Sequence, residues 1–371
     1  MKIQGAVLRG VGQRWDVTEL DLEAPRQDDL LVRVVASGLC HSDDHFVTGD
    51  LPMGMTPMCA GHEGAGVVEA VGPNTDGFAP GDHVVLQFIP GCGRCRFCAR
   101  GQQNLCGVGA GALGGARSDG TYRITENGQP VGQMAGISTF ANYTVCHVYS
   151  AVKVPKDIPL DKAALVGCGV ATGYGSAINA ASIEIGDTVI VMGIGGIGIN
   201  AVQGAAAAGA MNVVAVDPLA FKREKAMELG ATHAFASMLE AADFARSVTD
   251  GQGADSAIVC VGVTTGEHVA EGFDAIRKGG TVVMTGIGNM GAKGIPISPT
   301  QMTLWQKRLQ GAIYGMFSPS KDIPRLLSMY ESGKLRLDEL VTRTYTLDQI
   351  NQGYDDMHAG INLRGVVIHQ H

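Results

Sequence analysis

The sequence has no unbroken apolar run of the roughly 20 residues that a membrane helix needs. Its most apolar region, 189–216, is interrupted by glycines and by Asn200, Gln203 and Asn212. Residues 1–10 contain Arg9 and no apolar core, so they do not read as a secretory signal. A basic excess is missing too: 28 Lys and Arg stand against 36 Asp and Glu, a net charge of −8. That balance argues against nucleic acid and anionic membranes as partners, because both demand a basic surface. It leaves room for a small anionic ligand at one local site. There is no internal repeat and no low-complexity linker. Together these absences point to a cytoplasmic protein, and 371 residues suffice for two domains.

Glycine is abundant, at 53 residues, which implies many tight turns and close backbone approaches. Nine cysteines are present, and in a reducing compartment clustered cysteines are more often metal ligands than disulfides. The first part of the chain reads as short strands at 30–36, 66–70 and 83–88, with turns at Gly72-Pro73 and Pro80-Gly81-Asp82. The texture changes near Asp161. A small-residue stretch at 163–181 reads as helix, and then strands and helices alternate: strands at 188–192, 213–216, 256–261 and 281–285, helices at 200–208 and 221–229. Fully apolar strands alternating with helices imply a parallel sheet covered on both faces. Helices are expected again at 323–332 and 347–357, and a final strand at 365–369.

Gly193, Ile194, Gly195, Gly196, Ile197 and Gly198 fit G-x-G-x-x-G. The motif is weak alone, but here it follows an expected strand and opens an expected helix. The first glycine makes the turn, the second admits a pyrophosphate to the backbone, and the third lets helix and strand pack closely. The helix N-terminus then holds the phosphate charge. Asp217 follows at the end of the next strand, where a carboxylate accepts hydrogen bonds from ribose hydroxyls and repels a 2′-phosphate. The expected cofactor is therefore NAD(H), with Lys222 helping on the adenosine side.

Cys92, Cys95, Cys98 and Cys106 form C-x2-C-x2-C-x7-C. Four thiolates this close suit a closed tetrahedral zinc that stabilises a loop. The rival is an iron–sulfur cluster, whose bacterial pattern places the fourth cysteine three residues on. The longer gap and the absence of a second set favour zinc. Three further positions each have an ordinary reading. Cys40 in Gly38-Leu39-Cys40-His41-Ser42-Asp43-Asp44-His45, His62 in Gly61-His62-Glu63-Gly64, and Cys168 in Gly167-Cys168-Gly169 could be core or hydrogen-bonded residues. Spacing alone does not connect them.

These motifs, with Thr172-Gly173-Tyr174-Gly175 and the glycine loop, resemble those of the zinc-containing medium-chain alcohol dehydrogenases along essentially the whole chain. Stretches 36–50, 191–204 and 222–238 most resemble the actinobacterial nitroso-dimethylaniline-dependent (nicotinoprotein) alcohol dehydrogenases. The resemblance implies an α/β protein. A GroES-like β-rich catalytic domain would span 1–160 and 313–371, and a Rossmann doubly wound parallel-sheet domain 161–312, with the active site in the cleft between them. Cys40, His62 and Cys168 would bind a catalytic zinc, which Glu63 could also reach in some states. Asp43 would sit behind His62. Ser42 would receive the alcohol proton, His45 would pass it towards solvent, and Phe88 would line the substrate pocket. Thr172, Val261, Ile287, Lys222 and Arg364 would contact the cofactor. His41 stands where many relatives place an arginine on the pyrophosphate, so that contact should be weaker.

The implied reaction is hydride transfer between a small alcohol or aldehyde and NAD(H), with the cofactor either exchanging or permanently bound. One rival is a glutathione- or mycothiol-type formaldehyde dehydrogenase, which shares the metal sites. A non-catalytic NAD-binding relative is a second, but it would have lost zinc ligands and none is lost here. A homo-oligomer, dimer or tetramer, is expected, and the 107–140 segment resembles the longer loop of dimeric members. Cys59, Cys146 and Cys260 read as core residues, and His268, His358, His369 and His371 as packing or solvated histidines.

Overall fold

The computed structural model describes every residue except Ala112, which lies within the 107–140 segment noted above. By contact the chain parts into two units, Met1–Cys168 with Ser318–His371, and Gly169–Phe317.

The first unit is built around the strand Asp29–Gly38. Leu30, Val32, Val34 and Ala36 are buried, whereas Leu31, Arg33 and Val35 are partly exposed, the alternation of a strand with one face in the core. It pairs antiparallel with Gly64–Val71 and Tyr143–His147, and with Arg364–Ile368 near the chain end. The sheet continues through His83–Leu86 to Ala151–Val154 on one side and to Val341–Tyr345 on the other. Five short strands, Lys2–Leu8, Asp16–Leu22, Met58–Cys59, Ile124–Glu126 and Gln129–Gln133, close a barrel in the same unit. Asp29, at the start of the central strand, is buried between two arginines. Its Oδ1 accepts from Arg117 and its Oδ2 from Arg123 Nε at 2.9 Å. Arg123 Nη2 also lies 3.4 Å from Asp119 Oδ2, so the 115–125 loop is tied to the sheet through a four-charge cluster.

The second unit holds a six-stranded sheet, and every pairing in it is parallel. In chain order the strands are Thr188–Met192, Asn212–Val216, His233–Phe235, Ala254–Val259, Ile276–Met284 and Arg308–Gly311. Their spatial order is 3-2-1-4-5-6, that of doubly wound dinucleotide-binding sheets. Thr188–Met192 is buried at every position, as a strand covered on both faces must be.

Two expectations need correction. The stretch 163–181 is not one helix. It breaks into Leu160–Val166, Gly169–Gly175 and a wide turn at Ser176–Ala180, where Ala181 N–H bonds the Ser176 carbonyl five residues back. Residues 161–168 also belong to the first unit, because helix Leu160–Val166 packs on strands Asp29–Gly38 and Gly64–Val71. At the other boundary Ala312–Phe317 stays with the second unit, where Ile313–Met316 packs on Gly169–Gly175. Among the described residues no helix is long and apolar enough to cross a membrane.

Candidate active site and cofactor site

Three separate pieces of the first unit deliver the dispersed residues to one place. Cys40 is the boundary residue before helix His41–Thr48. His62 and Glu63 immediately precede strand Gly64–Val71, and Cys168 follows helix Leu160–Val166. One ligand atom from each of Cys40, His62, Glu63 and Cys168 lies within 4.8 Å of the others, and all four residues are buried. Gly38 makes the room: a Cβ there would stand 2.2 Å from Glu63 Oε2.

The surroundings suit a cation. Asp43 Oδ2 lies 3.0 Å from His62 Nδ1, and Asp43 Oδ1 accepts the Gly61 N–H at 2.8 Å. That arrangement turns His62 Nε2 the other way, and this atom is buried without a hydrogen-bond partner. Glu63 Oε1 is buried in the same condition, while Oε2 accepts from Arg364 Nη2. Buried polar atoms are rarely left unsatisfied, so the cluster fits an ion that takes up these donors. Two sulfurs, an imidazole and one further position are the donor set of a catalytic zinc. The hydrogen bond from Cys168, then His62 and Arg364, hold Cys40 well below the ordinary thiol range. Burial opposes a charge on His62, but Asp43 and the Cys40 thiolate outweigh it and push the imidazole up. Burial pushes the Glu63 carboxyl up to about 8, with Arg364 opposing.

Helix His41–Thr48 carries the other expected residues. Ser42 Oγ is 3.6 Å from Cys40 Sγ. His45 is buried, with Nδ1 3.4 Å from Asp50 Oδ2. The Phe88 ring meets the His62 ring edge-on at 5.5 Å. His41 lies 6.4 Å from the His358 ring, and His358 Nε2 is 2.8 Å from Asp44 Oδ2. Tyr354 OH donates to the Cys40 carbonyl at 3.4 Å. Asp44, Asp50, Tyr354 and His358 carried no signal as a group in the sequence, because the last two lie more than 300 residues on.

In the lobe, Cys92 and Cys98 sulfurs are 4.0 Å apart, and those of Cys95 and Cys106 3.9 Å. A tetrahedron with metal–sulfur bonds of about 2.3 Å has edges of about 3.8 Å. Backbone N–H groups of Cys95, Cys98 and Cys92 point at the Cys92, Cys95 and Cys106 sulfurs, each at 3.4 Å, which stabilises thiolates. This cluster fits zinc as the spacing predicted. Among the described residues no cysteine forms a disulfide.

In the second unit the three glycines behave differently. Gly193 has φ +86°. A Cβ on Gly198 would lie 1.8 Å from the Gly193 carbonyl oxygen, whereas one on Gly195 would meet nothing within 4 Å. The second glycine therefore faces open space, the approach a pyrophosphate needs. Gly196 and Ile197 complete the turn, and helix Gly198–Ala208 starts there. Asp217 Oδ2 accepts the Ile194 N–H at 2.9 Å and Oδ1 the Leu219 N–H at 3.0 Å. Each oxygen keeps a lone pair for a ribose hydroxyl. Thr264, which the sequence reading missed, links two expected contacts: its Oγ1 donates to the Val261 carbonyl at 3.0 Å and its N–H to the Ile287 carbonyl at 3.0 Å. Thr172 lies on Gly169–Gly175, which packs on helix Gly198–Ala208, and Lys222 lies on Ala220–Glu228. His41 and Arg364, also expected at the cofactor, are in the first unit.

Two families match the chain: "Alcohol dehydrogenase GroES-like domain" over residues 26–156 and "Zinc-binding dehydrogenase" over 196–332. The NDMA-dependent alcohol dehydrogenase of Amycolatopsis methanolica is 50% identical over 369 residues, covering 100% of this chain and 99% of the relative. Alcohol dehydrogenase B of Mycobacterium tuberculosis is 47% identical, covering 99% and 98%. The crystal structure of benzyl alcohol dehydrogenase from Acinetobacter calcoaceticus superimposes with a TM-score of 0.92 at 32% identity, covering 100% of both chains. Parallel sheet, glycine loop and two clusters of zinc-type donors thus coincide with likeness along the full length, and the chain belongs to the zinc-containing medium-chain alcohol dehydrogenases, with zinc and NAD(H) as its cofactors.

Proposed function

We propose that this alcohol dehydrogenase keeps NAD(H) bound through its cycle and returns the electrons to an external acceptor. The observation that carries this reading is the 50% identity, over the whole chain, to a protein named for its dependence on NDMA. Cys40, His62 and Cys168 would hold the catalytic zinc, with Glu63 as its alternative ligand, and Cys92, Cys95, Cys98 and Cys106 would hold the structural zinc. Bound at the first cluster, zinc would supply the Lewis acidity that makes an alcohol proton easier to remove. Ser42 Oγ accepts that proton's hydrogen bond, and His45 moves the proton towards water. Asp43 fixes the His62 ring so that Nε2 faces the cluster. Phe88 lines the substrate side. The Gly193–Gly198 loop seats the pyrophosphate, Asp217 and Lys222 the adenosine ribose, and Thr172, Val261 and Ile287 the remainder, with His41 and Arg364 as further contacts. The protein works in the cytoplasm as a homodimer or homotetramer.

The test is mass spectrometry, absorbance and metal analysis on protein purified without added cofactor and then denatured. Near-stoichiometric NAD(H) with two zincs per chain supports retention. Two zincs without dinucleotide overturn it in favour of exchangeable NAD. One zinc or none overturns the catalytic assignment.

A further inference from the structure

His45 is the buried member of the proposed proton path, and the fold hands it a partner. Helix His41–Thr48 ends at Gly49, whose φ of +81° is the left-handed conformation that favours glycine. The chain turns back there, and the Leu51 N–H bonds the His45 carbonyl at 3.1 Å. This reversal swings the Asp50 carboxylate over His45, with Oδ2 3.4 Å from Nδ1. The Thr48 hydroxyl donates to the same oxygen at 2.7 Å, fixing it in place. The His45 side chain is only 3% exposed, whereas that of Asp50 is 18% exposed. The ring is thus sealed and the carboxylate reaches water.

We propose that Asp50 is a positioning residue for His45: it holds the Nδ1–H tautomer, turns Nε2 inwards as the proton acceptor, and links the buried ring to solvent. A carboxylate at Nδ1 accepts the ring N–H and so decides which nitrogen carries the lone pair. When Nε2 takes the substrate proton, the Nδ1 proton has a carboxylate to receive it, and Asp50 passes it to water. The alcohol loses that proton and delivers its hydride to the nicotinamide, so no further reagent is needed. The other titratable groups on and near this helix have neighbours of their own, His41 lying with its ring centroid 6.4 Å from that of His358. Asp43 faces His62, and Asp44 faces His358 from helix Ile350–His358. Arg14 and Asp355 pair with each other. The 3.4 Å separation is long for a hydrogen bond, as catalytic contacts often are before substrate binds.

This inference rests on His45 as the proton carrier, and the experiment separates the two. Asp50→Asn, Asp50→Glu, Thr48→Val and His45→Gln are made in the full-length protein, and zinc content and melting temperature are checked. Nitrogen-labelled histidine NMR, with His45 assigned by its disappearance in His45→Gln, reads the ring tautomer without turnover. Single-turnover formation of NADH on the NAD-loaded protein, followed against alcohol concentration without an external acceptor, reads the chemical step. The expected results are an Nδ1–H tautomer in the wild type that is lost in Asp50→Asn, and a roughly ten-fold slower single turnover with KM within two-fold. Asp50→Glu recovers most of that loss, and in the His45→Gln background Asp50→Asn costs nothing more. An unchanged tautomer and rate in Asp50→Asn, or an equal loss without His45, overturns the inference. A normal rate in His45→Gln overturns instead the assignment of His45. Should Asp50→Asn fail to fold, Thr48→Val, which keeps the carboxylate but loosens it, must show a smaller change in the same direction, and no change overturns the inference.

Discussion

Cys40 stands where a helix begins, beside His62 and Cys168, and no other residue of the first turn offers a sulfur to that cluster. Cys40→Ser is expected to abolish turnover while the four-cysteine zinc and the fold persist. Metal analysis should then find about half the wild-type zinc, and undiminished turnover would refute the assignment. His369 illustrates a different kind of buried histidine. Its Nε2 lies 3.0 Å from the Thr139 carbonyl, which can only accept, so Nε2 carries a proton. Burial takes it down from 6.5 to about 4, with the Thr139 carbonyl opposing. The sign follows from proton uptake: the unfolded chain binds this proton first as pH falls. The stabilisation is complete above about pH 6.5 and is lost between there and about pH 4. The loss is on the order of 3 kcal/mol. Denaturant melts between pH 7 and 4.5 should show this slope, and His369→Gln should flatten it.

Elements, more than single residues, explain the dinucleotide loop. Strand Thr188–Met192 and helix Gly198–Ala208 approach so closely at Gly198 that a methyl group would overlap the Gly193 carbonyl, while the same methyl at Gly195 fills only open space. Gly198→Ala should therefore lower the melting temperature of the cofactor-free protein. Gly195→Ala should leave it unchanged and weaken NAD(H) binding by ten-fold or more, measured by titration calorimetry. Equal melting temperatures for the two variants would contradict the close approach. The Asp29 cluster makes a second point at this scale. Removing the carboxylate leaves buried Arg117 without its ion-pair partner and Arg123 with only Asp119, so Asp29→Ala should cost about 3–5 kcal/mol in denaturant unfolding. Asp29→Ala with Arg117→Met and Arg123→Met should recover part of it.

Across the whole molecule, the second unit was far more legible in the sequence than the first. Its strands are fully apolar runs between helices, so 188–192 and 213–216 were found with bounds correct to a residue. The four-cysteine lobe is equally local, because neighbouring residues make it. The catalytic cluster is not local. Cys40, His62 and Cys168 meet only through sheet pairing and one packed helix, and nothing in their own neighbourhoods announces the meeting; only likeness to relatives linked them. Helix His41–Thr48 escaped notice because its polar residues Ser42, Asp43, Asp44 and His45 hide the apolar periodicity, being held by partners instead of solvent. Asp50 was invisible because its role depends on a left-handed turn.

The strand Arg364–Ile368 has a consequence for how the chain is made. Residues 36–38 of the central strand wait for Val366, Val367 and Ile368 as partners, and Glu63 waits for Arg364. During synthesis, domains generally fold from the N-terminus as they emerge. Here the first unit cannot complete its sheet until strand Arg364–Ile368 is available. Meanwhile the second unit, continuous from Gly169 to Phe317, has every strand of its sheet available. Synthesis from the N-terminus therefore makes every strand of the second unit available before the last two strands of the first unit's sheet, Val341–Tyr345 and Arg364–Ile368.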